Sequence, residues 1–239
     1  MADRLRIGVL QCGYVAPTVA EVCGDYPQVF QDLLAPHDID LVIHDVQQAP
    51  VPTDLDACDG WLVTGSANSA YEPLAWIPPV EDALRTMIDR EVPLVAVCFG
   101  HQLLAQAMGG RVERSPDGWG AGVHHYEIIG DTQPWMVPPA DGPVALIASH
   151  QDQVVEAPDG AVVWSRTEHC PIAGFTLGPR AMTIQPHPEF SAALSRGLLN
   201  LRREMIGPET ADAALASLAE PIEADRDQFA SWMASFWRG

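Results

Sequence analysis

The 239-residue sequence contains no lysine, and all 13 of its basic residues are arginine. That absence excludes lysine Schiff-base chemistry, pyridoxal phosphate anchored on a lysine, and the lysine-dependent phosphate loop of many nucleotide hydrolases. Cysteine is sparse as well. Cys12, Cys23, Cys58, Cys98 and Cys170 are odd in number, widely scattered and without a C-x-x-C pair, so neither a disulfide framework nor a zinc knuckle is indicated. No uninterrupted apolar stretch approaches the roughly 20 residues of a membrane-spanning helix, and the run Ile7 to Leu10 is too short for a signal-peptide core. A soluble, cytoplasmic protein is expected. Positive charge is scarce: 32 acidic residues leave a formal charge of −19, which repels phosphate backbones and anionic headgroups. With no local basic patch, neither nucleic acid nor a membrane surface is an expected partner.

A chain of this length buries roughly 70–75% of its unfolded surface, enough for one sizeable core. No repeat, low-complexity segment or interdomain linker interrupts it. One domain is expected over 1–239, with a core at about 5–196 and C-terminal helices at about 197–239. Short apolar runs at Leu5 to Cys12, Leu41 to His44, Gly60 to Thr64 and Pro93 to Cys98 read as strands. Between two of them, Pro78 to Arg90 reads as an amphipathic helix, with prolines at its start, Glu81 and Asp82 in its first turn and Val80, Leu84, Met87 and Ile88 on one face. This alternation predicts an α/β fold, a mostly parallel central sheet with helices on its faces. From about Ala121 to Gln185 the segments become β-rich, as in Val144 to Ala148, Ala161 to Ser165 and Ala181 to Gln185. Two helices are then expected, near Phe190 to Met205 and Glu223 to Trp237. In the second, Phe229, Trp232, Met233, Phe236 and Trp237 form an apolar stripe suited to a core or a dimer contact.

The chemistry concentrates where the strand before Cys98 runs into Phe99-Gly100-His101-Gln102 and a helical pattern that Gly109 and Gly110 close. This is the pattern of a nucleophile elbow, in which a helix N-terminus favours the thiolate. A second cluster is Gln185-Pro186-His187-Pro188-Glu189. Its prolines hold the chain extended, so His187 and Glu189 project to one side. An imidazole oriented by a carboxylate is what a thiol nucleophile requires. Taken alone, His-x-Glu also fits two metal ligands or a surface turn.

Together, Cys98-Phe-Gly-His-Gln102 and Pro186-His-Pro-Glu189 resemble the two most specific motifs of the class I, triad-type glutamine amidotransferases. Ser149-His150-Gln151-Asp152 resembles that family's cleft-lining segment, and Gly65, after the strand ending at Thr64, stands in the place of its oxyanion glycine. Thr64-Gly-Ser66 with Trp76-Ile77, Gly118-Trp119 with Gly122, and Cys170-Pro171 with Gly174-Phe175 are similar to the stand-alone branch, which includes GMP-synthase-like amidotransferases and plant γ-glutamyl peptide hydrolases.

The resemblance implies a flavodoxin-like fold and a cysteine hydrolase of γ-glutamyl amides. Catalysis would fall to Cys98, His187 and Glu189, the oxyanion hole to the amides near Gly65 and Phe99, and substrate binding to Gln102, Ser149, His150 and Gln151. The reaction requires neither metal nor organic cofactor. The implied partner is a small γ-glutamyl substrate, with a second copy of the chain or a separate synthase subunit both compatible, and a retired binding protein the remaining alternative. The loop Gly65-Ser66-Ala67 departs from the Gly-Gly-Pro of many glutamine-specific members, which leaves the leaving group open. His101, His124 and His125 lack a third ligand at suitable spacing and are read as local hydrogen-bonding residues.

Overall fold

The computed structural model describes residues 4–239. In chain order the elements are β1 (Leu5–Gln11), α1 (Pro17–Cys23), α2 (Tyr26–Leu34), β2 (Ile39–Asp45), β3 (Gly60–Val63), α3 (Ile77–Asp89), β4 (Leu94–Val97), α4 (Phe99–Ala107), β5 (Arg111–Arg114) and β6 (Gly120–Ile128). There follow β7 (Val144–His150), β8 (Asp152–Glu156), β9 (Ala161–Arg166), β10 (Gly174–Leu177), β11 (Ala181–Ile184), α5 (Ala192–Leu201), α6 (Arg203–Ile206), α7 (Pro208–Ser217) and α8 (Glu223–Arg238).

Nine strands form one sheet in the order β2-β1-β3-β4-β11-β10-β9-β6-β7. From β2 to β11 neighbours run parallel, and from β11 to β7 they run antiparallel. The expected flavodoxin-like parallel sheet is thus present, and the β-rich second half of the chain extends it. β3, β4 and β11 are buried at every position, as strands covered on both faces must be. Their side chains still alternate. Val95 and Val97 join the core shared with α2, α5 and α8, whereas Leu94 and Ala96 face the core shared with α3 and α4.

The helices follow their local signals. Asp25 caps α2 by accepting the amide of Tyr26 at 2.8 Å, and the same carboxylate takes the Val15 amide at 2.6 Å. α3 begins at Ile77, one residue earlier than the sequence suggests, so Glu81 and Asp82 fall beyond the first turn and pair with Arg85. The single helix expected from Phe190 to Met205 is instead α5 and the short α6, separated at Arg202. Helix α7 was not anticipated: Gly207 ends α6 at φ 94°, and Pro208 then starts a new helix at its N1 position. Its small residues Ala211 and Ala214 let it lie directly against β6, where the Ser217 hydroxyl accepts the Val123 amide at 2.9 Å. Among the described residues, no helix is long and apolar enough to cross a membrane.

The stripe on α8 belongs to the core. Phe229, Trp232, Met233, Phe236 and Trp237 are all buried, Trp232 donates to the Pro138 carbonyl at 2.7 Å, and Trp237 donates to Trp61 at 3.3 Å. Trp135 meets Trp164, Trp232 and Phe236 edge-on, an arrangement suited to aromatic quadrupoles. Trp232→Ala is expected to cost about 3–5 kcal/mol in chemical denaturation, because it removes the indole and leaves the Pro138 carbonyl only the longer bond from Gln228. A loss below about 1 kcal/mol contradicts this packing role.

Candidate active site

β4 ends at Val97, and the chain must turn at once into α4. Cys98 makes that turn at φ 53°, ψ −103°, a backbone conformation that costs a non-glycine residue roughly 1–3 kcal/mol. The strain is held by the surroundings. The Cys98 amide donates to Ile184 of β11 at 2.9 Å, and the Cys98 carbonyl accepts from Gln102 at 3.1 Å. Gly100 lets α4 settle onto β3, since a β-carbon there would lie 2.8 Å from both the carbonyl oxygen and Cβ of Val63. The thiol therefore stands at the N-terminus of α4, where the Phe99 amide has no intrahelical acceptor.

β11 lies beside β4 in parallel register, so the chain leaving Ile184 emerges next to Cys98. Pro186 and Pro188 offer no N–H groups, and the His187 amide is taken by Ile147 of β7 at 2.8 Å. His187 Nδ1 meets Glu189 Oε1 at 2.6 Å, with the two residues only 2% and 1% exposed. Phe190 stacks on the imidazole at a centroid distance of 3.9 Å. Burial alone pushes the His187 imidazolium down, but the adjacent Cys98 sulfur and Glu189 carboxylate outweigh it and raise the imidazole to about 10. Gly65 closes the other side: a β-carbon there would lie 2.8 Å from the Tyr26 hydroxyl and 2.9 Å from His187 Cε1. Gly65, Cys98, Phe99, His187 and Glu189 are thus brought into one locus.

A cleft of about 260 Å³ opens from Cys98 and is lined by residues that include Gln102, Ser149, His150 and Gln151. Gln102 Nε2 is committed to the Asp152 carbonyl at 2.8 Å and to Gln185 Oε1 at 3.1 Å, which leaves its own carbonyl for a ligand. His150 Nδ1 engages the Asp152 carbonyl at 3.1 Å, and burial pushes this imidazole down to about 3. Sequence reasoning missed Asn68, Glu72, Arg114, Arg202 and Met205 on the same walls. Ser69-x-x-Glu72 carried one signal, since the Glu72 carboxylate accepts the Ser69 amide at 2.9 Å in the manner of a capping box. Nothing in the sequence marked Arg202 or Met205.

Three further histidines, at 101, 124 and 125, have local partners. His101 is bound to Thr183 at 2.8 Å and to the Ile172 carbonyl at 3.2 Å, His124 to the Ala121 carbonyl at 3.3 Å, and His125 to Glu220 at 3.2 Å. Among the described residues no three His, Cys, Asp or Glu side chains are grouped to hold a metal ion.

The α/β sheet thus carries a strained cysteine turn at the end of β4 and a buried His-Glu pair just beyond the neighbouring β11. Residues 31–200 match the family model of class-I glutamine amidotransferases, and the chain belongs to that family. It is 27% identical over 198 residues to γ-glutamyl peptidase 3 of Arabidopsis thaliana, covering 80% of this chain and 79% of that protein. It is 34% identical over 135 residues to a glutamine-hydrolysing GMP synthase of Listeria innocua, covering 54% of this chain but only 24% of that protein. Its fold matches a glutamine amidotransferase crystal structure from Thermotoga maritima with a TM-score of 0.80 at 15% identity, over 99% of both chains.

The raised His187 fixes the sign of a pH effect. Because the folded protein holds this proton above its ordinary value of 6.5, the stabilisation is complete below about pH 6.5 and is lost as pH rises through about 10. Urea midpoints of wild type and His187→Asn should therefore converge as pH rises across that window. A gap that widens with pH contradicts the charge assignment.

Proposed function

We propose that this protein is a cysteine hydrolase of γ-glutamyl amide bonds. The observation that carries the reading is the conjunction of a strained cysteine elbow, opening onto a cleft, with a buried His187–Glu189 pair at 2.6 Å. At neutral pH His187 already holds the proton given up by Cys98, and the sulfur attacks the γ-carbonyl carbon. The amides of Gly65 and Phe99 receive the developing oxyanion. On collapse the C–N bond breaks, His187 delivers its proton to the departing nitrogen, and a γ-glutamyl thioester remains on Cys98. Water, deprotonated by His187, then attacks the thioester, releasing glutamate and leaving the proton on His187. Glu189 holds the imidazole tautomer and stabilises its cationic form.

Gln102, Ser149, His150 and Gln151 contact the γ-glutamyl group or its leaving amine along the cleft. No step calls on a metal or organic cofactor, and a reaction that relies on a reduced thiol suits the cytoplasm. Similarity to the γ-glutamyl peptidase supports amine or amino-acid leaving groups beside ammonia. Similarity to one part of a glutamine-hydrolysing GMP synthase favours a second reading, in which the chain delivers ammonia to a separate synthase.

A panel of γ-glutamyl amides, scored for glutamate by mass spectrometry, separates the two. Release by the isolated protein from at least one amide is expected. Inertness on all of them, relieved for glutamine when a synthase subunit is added, overturns the hydrolase reading in favour of ammonia delivery. With an active substrate in hand, Cys98→Ser and His187→Asn should abolish turnover without unfolding. Glu189→Gln should lower kcat by a factor of roughly 10 to 10⁴ with a smaller change in KM, since its role is orientation. Full activity after stoichiometric alkylation of Cys98 is the result that removes the mechanism.

A further inference from the structure

The backbone around the His187–Glu189 pair presents buried carbonyls that need donors. The segment from Gln185 to Phe190 is buried throughout, and a buried carbonyl without a donor is costly. Gln185 donates to Ala173 at 2.7 Å, His187 donates to Ile147 at 2.8 Å, and both prolines lack donors. The carbonyls of Pro188 and Glu189 are both taken by one side chain. Arg226, half-buried on α8, donates from Nε to Pro188 at 2.9 Å and from Nη2 to Glu189 at 3.2 Å.

The Glu189 carboxylate is anchored on one side only. Oε1 meets His187, whereas Oε2 has no partner among the described residues. Its placement therefore depends on its backbone, and that backbone hangs on the Arg226 fork. The adjacent Asp225 accepts the Ala145 amide of β7 at 2.8 Å, so the first turn of α8 grips β7 as well. β7 is also the strand whose Ile147 carbonyl holds His187. Both residues lie outside the segment 31–200 that matches the family model.

We infer that Arg226 is a positioning residue for the His187–Glu189 pair, through which the C-terminal helix sets the reactivity of Cys98. The inference rests on the proposed role of His187 as the base for Cys98, but its test needs no substrate. Planar guanidinium geometry spans two carbonyls at once, which an amide or a single ammonium does not reproduce.

The test is the second-order rate of Cys98 alkylation by iodoacetamide at neutral pH, read by peptide mapping, in wild type, Arg226→Gln, Arg226→Lys and Asp225→Asn. Displacing the pair by a fraction of an ångström should slow alkylation by about 10- to 100-fold in Arg226→Gln. Arg226→Lys should fall between it and wild type. Asp225→Asn, which loosens the same helix turn from β7 but leaves the fork, should stay within about twofold of wild type. Where a γ-glutamyl substrate is turned over, the Arg226→Gln loss should appear in kcat and not in KM.

A folded Arg226→Gln variant alkylated at the wild-type rate overturns the inference. So does an Asp225→Asn loss equal to that of Arg226→Gln, which means general helix docking. If Arg226→Gln does not fold, Arg226→Lys carries the decision: an alkylation rate equal to wild type overturns the inference, and an intermediate rate supports it. Slowed alkylation together with no glutamate release from any amide sinks the hydrolase reading alone. Normal alkylation with normal release sinks this inference alone.

Discussion

The site depends on one backbone turn. A cysteine at φ 53° is not where an unconstrained chain places it, and the conformation persists because three contacts leave no alternative. Ile184 binds the amide, Gln102 binds the carbonyl, and the missing side chain of Gly100 lets the helix approach Val63. Relaxing the turn would rotate the thiol away from the cleft and lift α4 from β3. The strain thus has a geometric product, a thiol facing open space at the end of a helix.

Topology supplies the rest. Because β4 and β11 are parallel neighbours, both chains leave the sheet at the same edge, and the residues after β11 need travel only a short way to reach Cys98. The antiparallel extension contributes differently. Its edge strand β7 donates no nucleophile or base, but Ile147 fixes the backbone of His187 while Ser149 and His150 wall the cleft. One half of the sheet presents Cys98 and His187, and the other holds and encloses them.

Much of this is legible in the amino-acid sequence. Apolar runs marked β3, β4 and β11, as suits strands buried on both faces, and the one hydroxyl in β11, on Thr183, is satisfied by His101 and the Phe175 amide. The elbow was legible because strand, cysteine and glycine stand consecutively, and the His-Glu geometry because flanking prolines restrict the backbone to an extended path. Other features were not. α7 shows weak periodicity and small residues, and it is a helix because it finds β6 to lie against, which is a tertiary fact. Arg202 and Met205 reach the cleft only because α5 breaks at Arg202. The Arg226 fork joins residues 37 and 38 positions apart, a separation at which no local pattern signals contact.

The buried pair itself bears on why the site exists at all. Placing a charged imidazole and a carboxylate at 2% and 1% exposure carries a desolvation cost that their attraction offsets only with good geometry, and apolar residues of similar volume are often as stable or more so. Here geometry is good on one side, at 2.6 Å, and incomplete on the other, where Glu189 Oε2 lacks a donor. An arrangement selected for stability alone would have closed that second valence or discarded both charges. A carboxylate held on one oxygen, with its backbone fixed from outside, is instead free to follow the imidazole as its proton comes and goes. The incompleteness that weakens the pair as a structural element is compatible with the proton-carrying role proposed for His187.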